Sequence, residues 1–387
     1  MPSTTPGVRA PSTIGPAVNS AARSLARHSR LVRYLTVAYT LLVAYASLYP
    51  FSPWRPIASS AFSFLLEPWP RYTIADVVLN VLGYLPLGLL LTLTAMAWIT
   101  PRWAALLATV VGTFISLGLE AAQSFLPQRV PSNLDLLCNG LGAMAGALVA
   151  VAGGERWLLS GHLFRLRSRL FLPGAGADFG FVVLVLWLFS QLYPAVWLFG
   201  TGDLRFLTAS SHNLIYDPVS YRWIEAGVTA LNLAGVGLLM SALARPRQSV
   251  AGLLLGFVGV ALVVKSVAAL TLFKSGDASL WLTPGALLGI PAGVALYLGL
   301  AWLPQVRVSW FAATLLLGGV VLINLAPENP YIQASIQTWQ RGHFLSFNGT
   351  TRLVFSVWPF LAVGYLVWWG RRCYADWHAV SNTPQAK

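Results

Sequence analysis

Charge is scarce in this chain. Only 10% of its 387 residues are Asp, Glu, Lys or Arg, against about 25% in an ordinary soluble domain. The length would suffice for two or three soluble domains, but this composition excludes them. Acidic side chains are the scarcer kind, 12 against 25 Lys and Arg, for a net charge of +13. In a water-soluble protein that excess would point to nucleic acid. Here 56% of residues are hydrophobic and mean hydropathy is +0.66. The basic residues are therefore read as orienting loops and meeting anionic headgroups, and no nucleic-acid partner is expected. Cysteine occurs twice, at Cys138 and Cys373. The topology below puts them near opposite membrane faces, which excludes a bridge between them. The five histidines (His28, His162, His212, His343 and His378) are scattered without metal-ligand spacing. No P-loop, dinucleotide fingerprint or Gly-x-Ser-x-Gly elbow occurs, so neither metal nor cofactor is expected. Segments of about ten alternating residues are also missing, which argues against a transmembrane β-barrel.

What the chain has instead is long apolar runs. A membrane-spanning helix needs about 20 mostly apolar residues. Ten stretches qualify: roughly 31–50, 77–98, 103–122, 133–152, 179–200, 223–243, 249–272, 280–302, 308–326 and 352–370. Pro86 interrupts the second, and Pro284 and Pro291 the eighth. The expected fold class is all-α, a polytopic bundle of about ten spans. The basic residues between spans alternate, with twice as many on one side as on the other. By the positive-inside rule both termini are then cytoplasmic. The expected organisation is a disordered tail over 1–30, a four-helix unit over 31–152 and a basic linker over 153–178. A six-helix unit over 179–372 and a tail over 373–387 complete it. Leu79-Asn80 with Gly83 and Leu231-Asn232 with Gly235 form a weak internal echo.

The most informative stretch is EAAQSFLPQRVPSNLDLLCNGLGAMAG, from Glu120 to Gly146. Five polar side chains, Glu120, Gln123, Arg129, Asp135 and Asn139, crowd between two apolar runs. An ionisable group at membrane depth costs about 2.5 kcal/mol or more, so it needs a polar partner, water or a ligand. Thr113, Ser116, Glu120 and Gln123 follow helical spacing on one face of the third span. Asp135, Asn139, Gly142 and Gly146 share a face of the fourth, and Asp76, Asn80 and Gly83 a face of the second. Each face is polar at the outer end. Small residues deeper in the second and fourth spans let helices approach closely. Pro127 and Pro131 bracket Arg129 in the turn between spans three and four, from which it could fold over a shared pocket. The plainer alternative is that Arg129 forms simple ion pairs with Glu120 or Asp135.

Taken in order, Asp76-Val77-Val78-Leu79-Asn80, Pro86-Leu87-Gly88, Glu120-x-x-Gln123-x-x-x-Pro127-x-Arg129 and Asp135-x-x-x-Asn139-x-x-Gly142 resemble the VanZ-like family of bacterial membrane proteins. The resemblance covers roughly residues 35–152. The family takes its name from a protein associated with low-level resistance to the glycopeptide teicoplanin. What the resemblance implies is a multi-pass protein of the bacterial cytoplasmic membrane, connected with the cell envelope; it implies no defined reaction, and it leaves the six later spans unaddressed.

Three functions stay open. The first is binding of an envelope lipid headgroup or lipid-linked cell-wall precursor at an outward-facing pocket. Arg129 would hold an anionic group there, and Asp76, Asn80, Glu120, Gln123, Asp135 and Asn139 would orient the ligand. The second is a transporter or flippase, favoured by the proline-interrupted spans, by Lys265 inside the seventh span and by the internal echo. The third is an enzyme using Glu120 or Asp135 as acid or base; nothing in the chain supplies a nucleophile, so a non-enzymatic role is preferred. Membrane lipid is the one partner the composition requires, and the sequence is silent on oligomeric state. Ile332, Ile336 and Trp339, backed by Gln333, Gln337 and Gln340, have the spacing of a helix lying in the membrane interface.

Overall fold

The computed structural model describes residues 16–57, 60–68, 74–153, 167–193, 197–205, 216–245, 250–272, 278–279, 281–327 and 345–381. The expected interfacial helix around Ile332, Ile336 and Trp339 lies outside these residues, as do His162, His212 and His343. The fold is all-α. Ten long helices occur among the described residues: α1 (Pro16–Leu48), α2 (Ile74–Ala95), α3 (Pro101–Gln123), α4 (Asn133–Val149), α5 (Ala175–Ser190), α6 (Pro218–Leu243), α7 (Val250–Leu272), α8 (Pro284–Leu300), α9 (Gln305–Leu325) and α10 (Leu345–Ser381).

Each of the ten expected spans has its helix. Eight helices are long and apolar enough to cross a membrane, while Ala175–Ser190 and Pro284–Leu300 are shorter. Two boundaries differ from expectation. Helix α1 begins at Pro16, inside the stretch expected to be a disordered tail. Ala, Leu and Arg dominate residues 21–32, and these are strong helix formers whatever their polarity. At the other end, α10 runs on to Ser381, through the basic pair Arg371–Arg372.

Helices α2 and α4 run parallel and touch backbone to backbone. A Cβ added to Gly142 would fall on the carbonyl of Val81, one on Gly146 on that of Leu85, and one on Gly88 on that of Ala143. This is small-residue packing of the kind that brings helices together in lipid, where hydrophobicity alone gives no reason to associate. Antiparallel α3 lies beside the pair, and α1 covers α2. Pro86 breaks the hydrogen-bond ladder of α2, and the hydroxyl of Tyr39 on α1 donates to the nearby carbonyl of Gly83 at 2.8 Å. Thr36 on α1 likewise reaches the Leu90 carbonyl at 3.2 Å.

The second half repeats that device. Helix α6 is buried along most of its length and runs parallel to α8, with Gly289 and Gly293 against the carbonyls of Ala226 and Ala230. Helix α9 packs antiparallel on α6 through Gly235 and Gly319. Helices α5 and α10 close the bundle and meet α1. Residues 197–205 are mostly buried yet lack regular structure. Side chains from three helices hold them. The Asn324 amide bonds the Leu204 N–H and the Gly202 carbonyl. Thr201 donates to Asn232, and Ser356 donates to the Asp203 carbonyl. Irregular backbone at membrane depth survives only with such partners.

Asp217 caps α6, accepting from the Ser220 N–H at 2.8 Å. Hydrogen bonds from Ser220 hold its carboxyl below the ordinary value of 3.8. A carboxyl depressed in the folded state stabilises it above the unfolded pKa, and that contribution is lost as pH falls through the lower folded value. Asparagine caps as well as aspartate but does not titrate. On acidification from about pH 6 to about pH 2, the melting temperature of the wild type should therefore fall further than that of Asp217→Asn.

Candidate functional site

The seven expected site residues gather at one end of the first four helices. Asp76 lies in the first turn of α2. One turn on, the amide of Asn80 donates to Asp135 Oδ1 at 2.7 Å, tying α2 to the start of α4. The charge of Asp76 acts on Asp135 across the same gap. Asn139, one turn deeper on α4, donates to Ser116 Oγ on α3 at 2.9 Å. Its carbonyl oxygen Oδ1 is buried and meets no donor. The Tyr84 hydroxyl reaches Ser116 from α2.

Glu120, in the last turn of α3, is only 4% exposed. Its Oε2 accepts from the main-chain N–H of Ser132 at 3.0 Å. Ser132 is itself the N-cap of α4, its hydroxyl accepting from the N–H groups of Leu134 and Asp135. The carboxylate of Glu120 therefore sits at the positive end of a helix, next to the cap that starts it.

Arg129 forms neither ion pair that the sequence allowed. Its Nε donates to the Tyr49 carbonyl and its Nη2 to the Ala46 carbonyl, each at 2.9 Å. Gln123 donates to the Ser47 carbonyl, also at 2.9 Å. The last carbonyls of a helix have no partner within it, and these two side chains supply partners for the end of α1. Burial lowers the pKa of Arg129 from its usual value, and the carboxylate of Glu120 opposes that shift. An arginine remains cationic under such a shift, and Nη1 is left uncommitted.

A loop folds over this end. The Arg55 N–H donates to the Phe125 carbonyl, Ser124 to the Ala61 carbonyl and Asn133 to the Glu67 carbonyl. A 3-10 turn, Ser63–Leu66, sits within it and buries Phe64 while leaving Leu66 93% exposed. The stretch combines a buried polar floor with an apolar outer surface.

Residues 17–157 match the VanZ/LLP1 family. The matched segment holds all seven site residues, from Asp76 to Asn139, and the first four helices apart from the start of α1. No curated protein and no solved structure matches the chain. Within the VanZ-like region, Ser132, Tyr84 and the end of α1 join the site without having been singled out by sequence pattern. Ser132 had a readable signal, since Ser132-x-x-Asp135 is a helix-start pattern. Tyr84 reads as one more apolar-face residue of α2. The carbonyls of Ala46, Ser47 and Tyr49 have no sequence signature at all. Cys138 is buried beside Asn139, and both cysteines are free.

Proposed function

We propose that this membrane protein, with its VanZ-like region, binds the headgroup of an envelope lipid or lipid-linked cell-wall precursor at the outer end of α2–α4. The arginine distribution supports an outward-facing position for this end, and the VanZ-like match supports a bacterial membrane. One observation carries the reading. Glu120 carries a buried carboxyl whose only hydrogen bond among the described residues is a single main-chain N–H, and one turn away along α3 Ser116 holds Asn139, whose carbonyl has no donor. Acceptors this poorly satisfied in a low-dielectric setting are costly, and a ligand bringing hydroxyl or amine donors relieves that cost. Asp135 and Asp76 would extend the acceptor set, and Arg129 Nη1 would meet a phosphate. A headgroup with both a phosphate and several donors fits that combination.

A photo-crosslinkable lipid bearing such a headgroup tests it. Glu120→Gln and Asp135→Asn keep the size of each side chain and should cut crosslinking about tenfold, the loss of one charged contact, with membrane insertion unchanged. Equal crosslinking in wild type and both variants would eliminate the reading. Transport is the second reading, favoured by the buried irregular segment 197–205 and the prolines inside α2, α8 and α10. Movement of the captured lipid across a reconstituted bilayer would establish it.

A further inference from the structure

Far from Glu120 in sequence, a lysine is buried. Lys265 lies on α7 within the span Ala251–Leu270 and is 5% exposed. Its ammonium donates to the main-chain carbonyl of Tyr193 at 3.1 Å. Among the described residues no carboxylate lies within ion-pair distance of it. An ammonium has three donors, and one is used here.

The acceptor belongs to the turn that ends α5. That helix has 16 residues, about 24 Å of rise against a hydrocarbon core of about 30 Å. It is too short to cross that layer upright, and its negative dipole end favours a cation. This accounts for the position of Lys265 but not for its remaining donors. The same turn carries Gln191, 1% exposed. Its Nε2 donates to Ser190 Oγ at 3.2 Å, while its Oε1 is buried without a donor. An under-coordinated ammonium on α7 thus contacts the turn that carries an orphaned carbonyl oxygen. Along α7, Val260, Val263 and Val267 are about half exposed or more, and helical spacing puts them on the face opposite Lys265.

We propose that the α5 turn and α7 form an oxyanion site, with Lys265 holding a phosphate and Gln191 Oε1 accepting from a hydroxyl next to it. The ligand class is a glycerol phosphate, carried either on a lipid or as a soluble ester. The site is independent of the one at Glu120.

The test uses the purified full chain with four probes: dioleoyl phosphatidylglycerol, dioleoyl phosphatidylcholine, dioleoyl phosphatidic acid and glycerol 3-phosphate. Native mass spectrometry reads retention, and thermal unfolding reads protection. Wild type should retain phosphatidylglycerol over phosphatidylcholine and be protected by it. Lys265→Met should lose that preference about tenfold, and Lys265→Arg should keep most of it. Gln191→Leu should weaken phosphatidylglycerol but leave dioleoyl phosphatidic acid, which lacks the hydroxyl, unaffected. Methionine in place of a buried charge is compatible with folding, and the melting curve of the bare variant checks this. Protection by glycerol 3-phosphate equal to that by the lipid would support the site and make its source soluble. Equal retention of phosphatidylglycerol by wild type and Lys265→Met would overturn the proposal. So would a wild type indifferent to every phosphate; Lys265 would then only cap α5.

Discussion

Replacing Gly146 by leucine should cost about 3 kcal/mol or more, the upper range for overpacking, and remove most folded protein from detergent extracts. Even a methyl group there would fall on the Leu85 carbonyl, with the Leu89 nitrogen 2.8 Å away. Both obstacles are backbone, so no rotamer change makes room. Separating α2 from α4 also separates Asn80 from Asp135, so the polar end should come apart with the packing. Gly83 provides the control, since a Cβ there would meet nothing within 4 Å. Gly83→Ala should stabilise by about 0.5–1 kcal/mol through helix propensity. Melting temperatures of the two variants, measured side by side, check both signs.

Arg129→Ala should cost about 3 kcal/mol, because two charge-assisted hydrogen bonds to α1 are lost at about 1.5 kcal/mol each at the least. The loss is local. Carbonyls of Ala46 and Tyr49 lose their partners, and the end of α1 frays. Hydrogen exchange over residues 45–51 should accelerate, while exchange in α6 stays as it is. Arg129→Lys should recover at most half, since one ammonium does not reproduce a planar fork reaching two carbonyls. Consequences extend to the second half, because the Tyr49 ring lies against Gly349 of α10. Gln123→Leu, removing a single neutral donor, should cost about 1 kcal/mol.

Much of this architecture was legible because it rests on period and composition. Continuous apolar runs announced ten helices, and spacing of three, four and seven put Ser116 and Glu120, or Asp135 and Asn139, on common faces. What was not legible depends on contacts far apart in the chain. Arg129 could be placed in a turn between prolines, but its partners are carbonyls about eighty residues earlier. No side chain marks them. The shortness of α5 was hidden for a related reason. Residues 191–200 are apolar enough to continue a helix, yet the chain turns at Gln191, and 197–205 is held by side chains from α6, α9 and α10. The internal echo shows how little a local match fixes. Asn80 donates to Asp135 between helices, whereas Asn232 donates to the Val228 carbonyl of its own helix. Gly83 faces open space, whereas Gly235 packs on Leu316. Both segments still belong to a parallel, glycine-mediated helix pair.

The central claim is that Glu120, Asp135 and the free edge of Arg129 together receive a lipid-borne headgroup. A density map of the protein purified in nanodiscs with its native lipids tests this most directly. The account predicts a non-protein feature at the polar end of α2–α4, within hydrogen-bonding distance of Glu120 and Arg129 Nη1 and continuous with a hydrocarbon chain. A map in which those groups are closed off by protein alone, with ordered headgroups only elsewhere, would contradict it.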